Sequence, residues 1–258
     1  MDGQLYIMGG FSRLFINATN ALSTLSSDGK FSRIHPSGDV PRPIFDHRAW
    51  SFDGKIFFFA GLIKETDGER KKMMTEWNQN PALFYSNNVH QYDLATNEFS
   101  SVTTTGTNPT PRKDFAVARV GSSSYIHGGW CNRWLNDFFA LNLETMQWTK
   151  IGESGFQEGI DDHSLTKVSE KEILLVGGVH KYGVSDKVKL FNIDEQTWRV
   201  AARLPLDVAG GEEGLHRHDA IHVPNENGVF VFCVGGYVDL QWRNHPKRLV
   251  LFDIISEQ

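Results

Sequence analysis

At 258 residues the chain can form one closed all-β domain or two small ones, and 12% aromatics with 24 Gly supply core material and tight-turn positions. A net charge of −5 leaves no basic field to neutralise phosphates, which argues against nucleic acid as a partner. Only Cys131 and Cys233 are present, with no CxxC and no His at ligand spacing, so neither a disulfide framework nor a metal or other cofactor is expected and a reducing compartment, cytoplasmic and/or nuclear, follows.

The opening "MDGQLYIMGG" has no charged leader before a long apolar stretch, and no apolar run reaches the roughly eighteen residues of a membrane span, so no membrane partner is expected. The same opening supplies the first member of a repeat. "LYIMGG" ends at Gly10, "IFFFAG" at Gly61, "SYIHGG" at Gly129, "ILLVGG" at Gly178 and "VFCVGG" at Gly236, at intervals of roughly fifty to seventy residues. Each is a β-branched and aromatic run closing on a small-residue doublet. Such a run reads as a buried strand leaving through a turn where a side chain would clash.

Before the doublets, "DHRAWSF", "DFAVARV", "DHSLTKV" and "RHDAIHV" read as first strands. His47, His163 and His218 hold equivalent places, with Phe115 in the third unit. Recurrence and replacement by Phe mark them as packing or turn residues, since metal binding would need them to converge from different sheets. After the doublets come "NVHQYDL", "DFFALNL", "KVKLFNI" and "RLVLFDI". In three units an aromatic stands six residues beyond an Asp or Asn: Asp93 to Phe99, Asn142 to Trp148 and Asn192 to Trp198. The Asp or Asn suits a turn by bonding locally to the backbone, and the aromatic fills the gap between neighbouring sheets.

Four strands per unit, repeated radially, describe a β-propeller. These units resemble kelch repeats over nearly the whole chain: about five, at 1–43, 44–112, 113–160, 161–215 and 216–258, forming one all-β domain. The first begins at its second strand, and the last stops one residue before its expected aromatic and lacks its fourth strand. Two readings follow, a shortened product of a six-bladed parent or a true five-unit ring with a strained seam. Both predict an open groove or weak contact between residues near 1–40 and 215–258.

Strand alternation puts the fourth-to-first and second-to-third strand loops on one face. The first kind contributes "TNPTPRKD", with Arg112 and Lys113, and "GFQEGIDD", with Asp161 and Asp162. The second contributes residues 62–87, "WCNRWLN" with Trp130, Arg133 and Trp134, "VHKYGVS" with Tyr182, and "YVDLQWRNHPK" with Tyr237 and Trp242. These loops are longer and chemically richer than those opposite, so this face is the expected binding surface for a protein or peptide client. The charged stretch "KETDGERKKMMTEWNQNPALFYS" reads as a solvated excursion or a flap over the pocket. Asp161 and Asp162 suit turn bonds more than acid/base chemistry, which would need convergence.

From Trp77 to Gly178 the chain is similar to the kelch-domain substrate receptors of cullin-2 ubiquitin ligases. "WNQNPALFYSNNVHQYDLATNEFSSVTTTGTNPTPR", "HGGWCNRWLNDFFALNLETMQWTKI" and "DDHSLTKVSEKEILLVGG" carry the likeness. The resemblance implies a client's C-terminal tail held in the propeller's top pocket, and cullin-RING ligase subunits as partners. Residue by residue, the family's first binding Arg falls at Trp130, its second near Trp134 with Arg133 beside it, and its Ser-Trp step at Asp161-Asp162. An aromatic and two carboxylates in those places would repel a terminal carboxylate, so the fold carries over and tail capture does not. The docking segment for cullin and adaptor, which follows the propeller in that family, is not expected before Gln258. An enzyme on such a scaffold, a metal oxidase or a sugar-processing member, is the alternative; His180, Tyr182, His216 and Tyr237 supply ligand types that no spacing selects. A purely structural scaffold is the third reading, and no catalytic residue is assigned.

Overall fold

The computed structural model describes residues 4–12, 17–63, 85–153, 159–204, 214–225, 228–238 and 250–254. Among them every regular element is a β-strand. They group into two compact units, Met1–Lys113 with Thr145–Trp148, and Asp114–Glu144 with Thr149–Gln258.

In the first unit, Leu5–Met8, Leu22–Leu25 and Phe31–Ile34 form a three-stranded antiparallel sheet. The next sheet runs Arg48–Phe52, Lys55–Phe59, Val89–Asp93 and Glu98–Val102, with the dipeptide Ser37–Gly38 added in parallel to its outer edge. The doublet-bearing strand Lys55–Phe59 reads "KIFFF" because neighbours cover both its faces, and Phe57, Phe58 and Phe59 are all buried. Met8 and Leu22 of the first sheet pack against Ile56, Phe58, Tyr92 and Phe99 of the second. Each fully buried side chain of this size contributes roughly 1.5–3 kcal/mol.

The second unit repeats the pattern. Ala116–Val120, Ser123–His127 and Asp137–Asn142 pair antiparallel, as do Ser164–Lys167, Glu172–Val176, Lys187–Asn192 and Thr197–Arg203. The last sheet is His216–Asn225, Gly228–Tyr237 and Val250–Ile254. Phe138 and Ala118 of one sheet pack on Ile173 and Leu175 of the next, and Leu174 and Val176 of that one on Val231 and Cys233 of the last. Within each unit, stacked sheets with one apolar layer between neighbours are the blades of a β-propeller.

The turn chemistry expected from sequence is present. Asp93 Oδ1 accepts from the backbone N–H of Ala95 (2.8 Å) and Thr96 (3.1 Å), and Asn142 Oδ1 from that of Glu144 (2.9 Å). Asn192 Oδ1 accepts from the N–H of Glu195 at 3.0 Å. The aromatics beyond these turns reach the preceding sheet. Trp198 lies 5.3 Å from the ring of Phe138, and Trp148 lies 5.1 Å from Phe59. Among the described residues the first sheet has three strands, from Leu5–Met8 to Phe31–Ile34, and the last has three, from His216–Asn225 to Val250–Ile254.

The parallel dipeptides were not anticipated. Ser37–Gly38 pairs with Glu98–Phe99, and Thr105–Gly106 with Gln147–Trp148. A Cβ on Gly38 would lie 2.2 Å from Phe99 O, and one on Gly106 2.2 Å from Trp148 O, so glycine lets the connection lie against the outer strand. The flap falls almost wholly on 64–84, and the seam draws on 1–3, 13–16, 239–249 and 255–258; these lie outside the described residues, as does Trp242.

All five doublets share one conformation: φ is between +60° and +74° at the first residue and between +88° and +108° at the second. The second residue donates its N–H to the segment leading into the next sheet: Gly10 to Ile44 O (3.1 Å), Gly61 to Arg112 O (2.8 Å), Gly129 to Ile160 O (2.8 Å) and Gly178 to Leu215 O (2.8 Å). At Gly9, Gly128 and Gly177 the approach leaves no room for a side chain, a Cβ on Gly177 standing 2.0 Å from Leu215 O, whereas a Cβ on Gly235 would meet nothing within 4 Å. By contrast Gly121 has φ +57° with nothing within 4 Å of its Cβ position. Gly121→Ala is expected to cost about 1 kcal/mol, from the left-handed backbone alone. Gly177→Ala should cost about 3 kcal/mol or more, because backbone must also move. Urea melts of the two variants measure the difference.

Candidate binding site

In the second unit the residue before the repeat His or Phe takes the left-handed conformation: Asp114 (φ 53°), Asp162 (φ 53°) and Arg217 (φ 54°). Asp tolerates this region well, while Arg has no such preference. Their backbones form a chain from sheet to sheet, with Asp162 N–H donating to Asp114 O (2.9 Å) and Arg217 N–H to Asp162 O (2.8 Å). The side chains then meet. Arg217 Nε donates to Asp162 Oδ2 at 2.7 Å, its Nη2 lies 3.8 Å from Asp114 Oδ2, and His216 Nδ1 lies 3.9 Å from Asp162 Oδ2.

Burial pushes the Asp162 carboxyl up, but His216 and Arg217 together outweigh it and hold the group below the usual carboxylate range. Asp162 is therefore a compensated anion, and the repulsion foreseen for a client carboxylate is opposed by a half-exposed guanidinium that sequence reading did not assign. The signal was available: Arg217 aligns with Asp46, Asp114 and Asp162 in front of the repeat His or Phe.

Asp161 turns elsewhere. Its backbone exchanges two hydrogen bonds with Val179, at 3.0 and 2.8 Å, which ties this loop to the Tyr182 hairpin. The Trp130 loop is a tight hairpin in which Leu135 N–H reaches Gly129 O (2.8 Å) and Cys131 N–H reaches Arg133 O (3.0 Å). This geometry sets Trp130 and Trp134 edge to face, ring centroids 4.9 Å apart, with Arg133 exposed between them and Cys131 buried. Ile160 N–H donates to Leu135 O at 3.0 Å, joining this hairpin to the Asp161–Asp162 loop. Tyr182 is 73% exposed with Lys181 Nζ 5.2 Å from its ring centroid, a cation–π distance. Tyr237 rests against His216, ring centroids 5.8 Å apart.

The structure thus joins Trp130, Arg133, Trp134, Asp161, Asp162 and Tyr182 through neighbouring loops, with Tyr237 beside them through His216. In the first unit Arg112 is fully buried, its Nε donating to Thr110 O at 2.9 Å, so it braces its own loop. Lys113 Nζ lies 3.9 Å from Asp46 Oδ2.

The repeat histidines are interior. His163 Nε2 lies 2.8 Å from His127 Nδ1, and His218 Nε2 lies 2.9 Å from Ser164 Oγ, each reaching the preceding sheet. Burial pushes His218 down to about 3, helped by His216, and His47 down to about 4, helped by Arg48. Among the described residues no three His, Cys, Asp or Glu are placed to hold a metal ion.

Residues 1–178 match the family model described as the KLHDC2/KLHL20/DRC7 Kelch-repeats domain. The chain belongs to this kelch-repeat family. Kelch domain-containing protein 2 of Bos taurus is 31% identical over 188 residues, 69% of this chain and 46% of that protein. Acyl-CoA-binding domain-containing protein 4 of Arabidopsis thaliana is 30% identical over 156 residues, covering 58% of this chain and 22% of that protein. N-(sulfonatooxy)prop-2-enimidothioate sulfolyase of Thlaspi arvense is 29% identical over 201 residues, covering 69% and 55%. The kelch chain therefore spans about half or less of the length of these relatives. The solved structure of YjhT superposes with a TM-score of 0.75 at 13% identity, covering all of this chain and 80% of the other, which shows the propeller fold.

Two measurements follow from this geometry. A neutral buried His favours the fold at and above its unfolded pKa near 6.5, and that stability is lost as pH falls toward the folded value. For His47, with a folded value of about 4, this amounts to about 2 kcal/mol between pH 7.5 and pH 5. His47→Phe, the residue the repeat itself uses at Phe115, should remove that share of the acid loss in thermal melts run across pH. Separately, Arg217→Met and Asp162→Asn in a double-mutant cycle should show about 1 kcal/mol of coupling, the value being held down by the exposed part of Arg217.

Proposed function

We propose that this kelch chain is a non-catalytic interaction module that binds a protein or peptide on the face carrying its second-to-third and fourth-to-first strand loops. The observation that carries this reading is the solvent-presented Tyr182 with Lys181 over its ring. It shares a loop network with the Trp130–Trp134 pair and exposed Arg133. Aromatics and Arg on a rigid frame are the residue types that dominate binding energy at interfaces. The kelch propeller is a fold suited to this use, because its loops vary while the sheets hold them still.

A ubiquitin-ligase substrate receptor is the specific version, supported by the similarity between Trp77 and Gly178 to the receptors of cullin-2 ligases. In that version the client would meet Arg217 and Asp162 as an ion pair.

The test is affinity capture with the wild-type chain, followed by titration of the recovered partner against Tyr182→Ala and Trp134→Ala. Each substitution should weaken binding at least tenfold, the loss expected of a central aromatic. Recovery of cullin and adaptor subunits supports the receptor version, and other partners without them leave the general one. If neither substitution changes any affinity, binding on this face is refuted.

A further inference from the structure

In the sheet that runs from Ser164–Lys167 to Thr197–Arg203, the third strand carries a lysine where other blades carry a ring. Register places Lys189 opposite Leu175, just as Phe139 stands opposite Ile126 and His90 opposite Phe58. Phe139 is 4% exposed and Lys189 is 7% exposed, so the amine occupies a packing position. Its neighbours across the sheet are aliphatic on both sides, Leu175 on one strand and Val200 on the other. An ammonium that gives up its water to such neighbours is held less well than the neutral amine.

The charges around it act in the same direction. Strand alternation puts Lys187 on the same face as Lys189, and Arg203 lies directly across from Lys187. Two of the carboxylates in this region are engaged: Asp186 Oδ2 accepts from Arg203 Nη1 at 2.6 Å, and Glu153 on the preceding sheet accepts from Asn136 Nδ2 at 3.1 Å. Burial first, and then the Lys187 charge, bring the Lys189 ammonium down to about 8. A surface lysine stays near 10.4, so Lys189 holds far more neutral amine at physiological pH.

We infer that the Lys189 amine is a modification site that takes carbon dioxide and forms a carbamate. The neutral nitrogen attacks the carbon of CO2: a C–N bond forms, one C=O electron pair moves onto oxygen, and the proton leaving nitrogen passes to water. The group changes from a cation to an anion. Lys187 and Arg203, which repel the ammonium, then attract the carbamate. Burial selects the reagent by size, because a small uncharged electrophile reaches a side chain that a bulky acyl donor does not. The site uses none of the residues assigned to the binding face.

Carbon-13 NMR of the full chain at pH 8, in a sealed tube with labelled bicarbonate, tests this. Wild type should show a carbamate resonance, and trapping with triethyloxonium followed by peptide mass spectrometry should place the adduct on Lys189. Lys189→Met should abolish both signals. Methionine suits a position filled by Phe139 in another blade, and trapping on wild type locates the adduct even if that variant misfolds. Lys187→Met should retain the adduct at lower yield, having lost a charge that favours both the neutral amine and the product. Any one of four results would overturn the inference: no resonance in wild type, an adduct confined to the N-terminal amine or to other lysines, a signal that persists in Lys189→Met, or an undiminished yield in Lys187→Met.

Discussion

The fold depends on how closely one blade can approach the lead-in of the next. At each doublet the chain turns through two consecutive left-handed residues, and at Gly10, Gly61, Gly129 and Gly178 the second N–H bonds to a carbonyl of the following blade's lead-in. A side chain at Gly177 would overlap backbone at Leu215. Once this bond sets the separation, one layer of Phe, Leu, Ile and Val fills the gap, and the turn aromatics close it at the rim. The periodicity of the sequence is the periodicity of that contact. Ala60 is the informative exception: it takes the left-handed conformation at the first position of its doublet with φ 60°, so strain is accepted there rather than the geometry changed.

The same geometry positions the candidate site. Because the doublet bond fixes each lead-in, the left-handed residue that follows it stands at a repeated place, and Asp114, Asp162 and Arg217 become neighbours although about fifty residues separate each from the next. Substituting Arg for Asp in one blade converts a row of buried carboxylates into a compensated cluster. The hairpins after the doublets, free of the packing constraint, carry the Trp130–Trp134 pair and Tyr182 outward. Conserved geometry below and chemical variety above is the division of labour that a loop-bearing scaffold provides.

Much of this was legible in the residues. Doublets after apolar runs located the second strands, and Asp93, Asn142 and Asn192 located the turns, because both signals are local and repeat. His47, His163 and His218 read as packing or turn residues because Phe115 stands in the same place, and His163 and His218 are buried. What escaped depended on partners remote in sequence. The parallel dipeptides at Ser37–Gly38 and Thr105–Gly106 are too short for any periodicity, and the Arg217–Asp162 bond joins residues from different repeats. Arg112 looked like surface because Arg usually is, but its carbonyl receives the Gly61 bond and its buried side chain donates Nε–H to Thr110 O.

Amide hydrogen exchange resolved at Gly10, Gly61, Gly129 and Gly178 probes the proposed constraint most directly. These N–H groups lie at strand ends, where fraying normally speeds exchange. If the inter-blade bonds hold the propeller together, the four amides exchange only through global unfolding, as slowly as those of Ile126 and Leu174 in the strand centres. Rapid exchange at the doublets, with the strand centres still protected, would contradict the account.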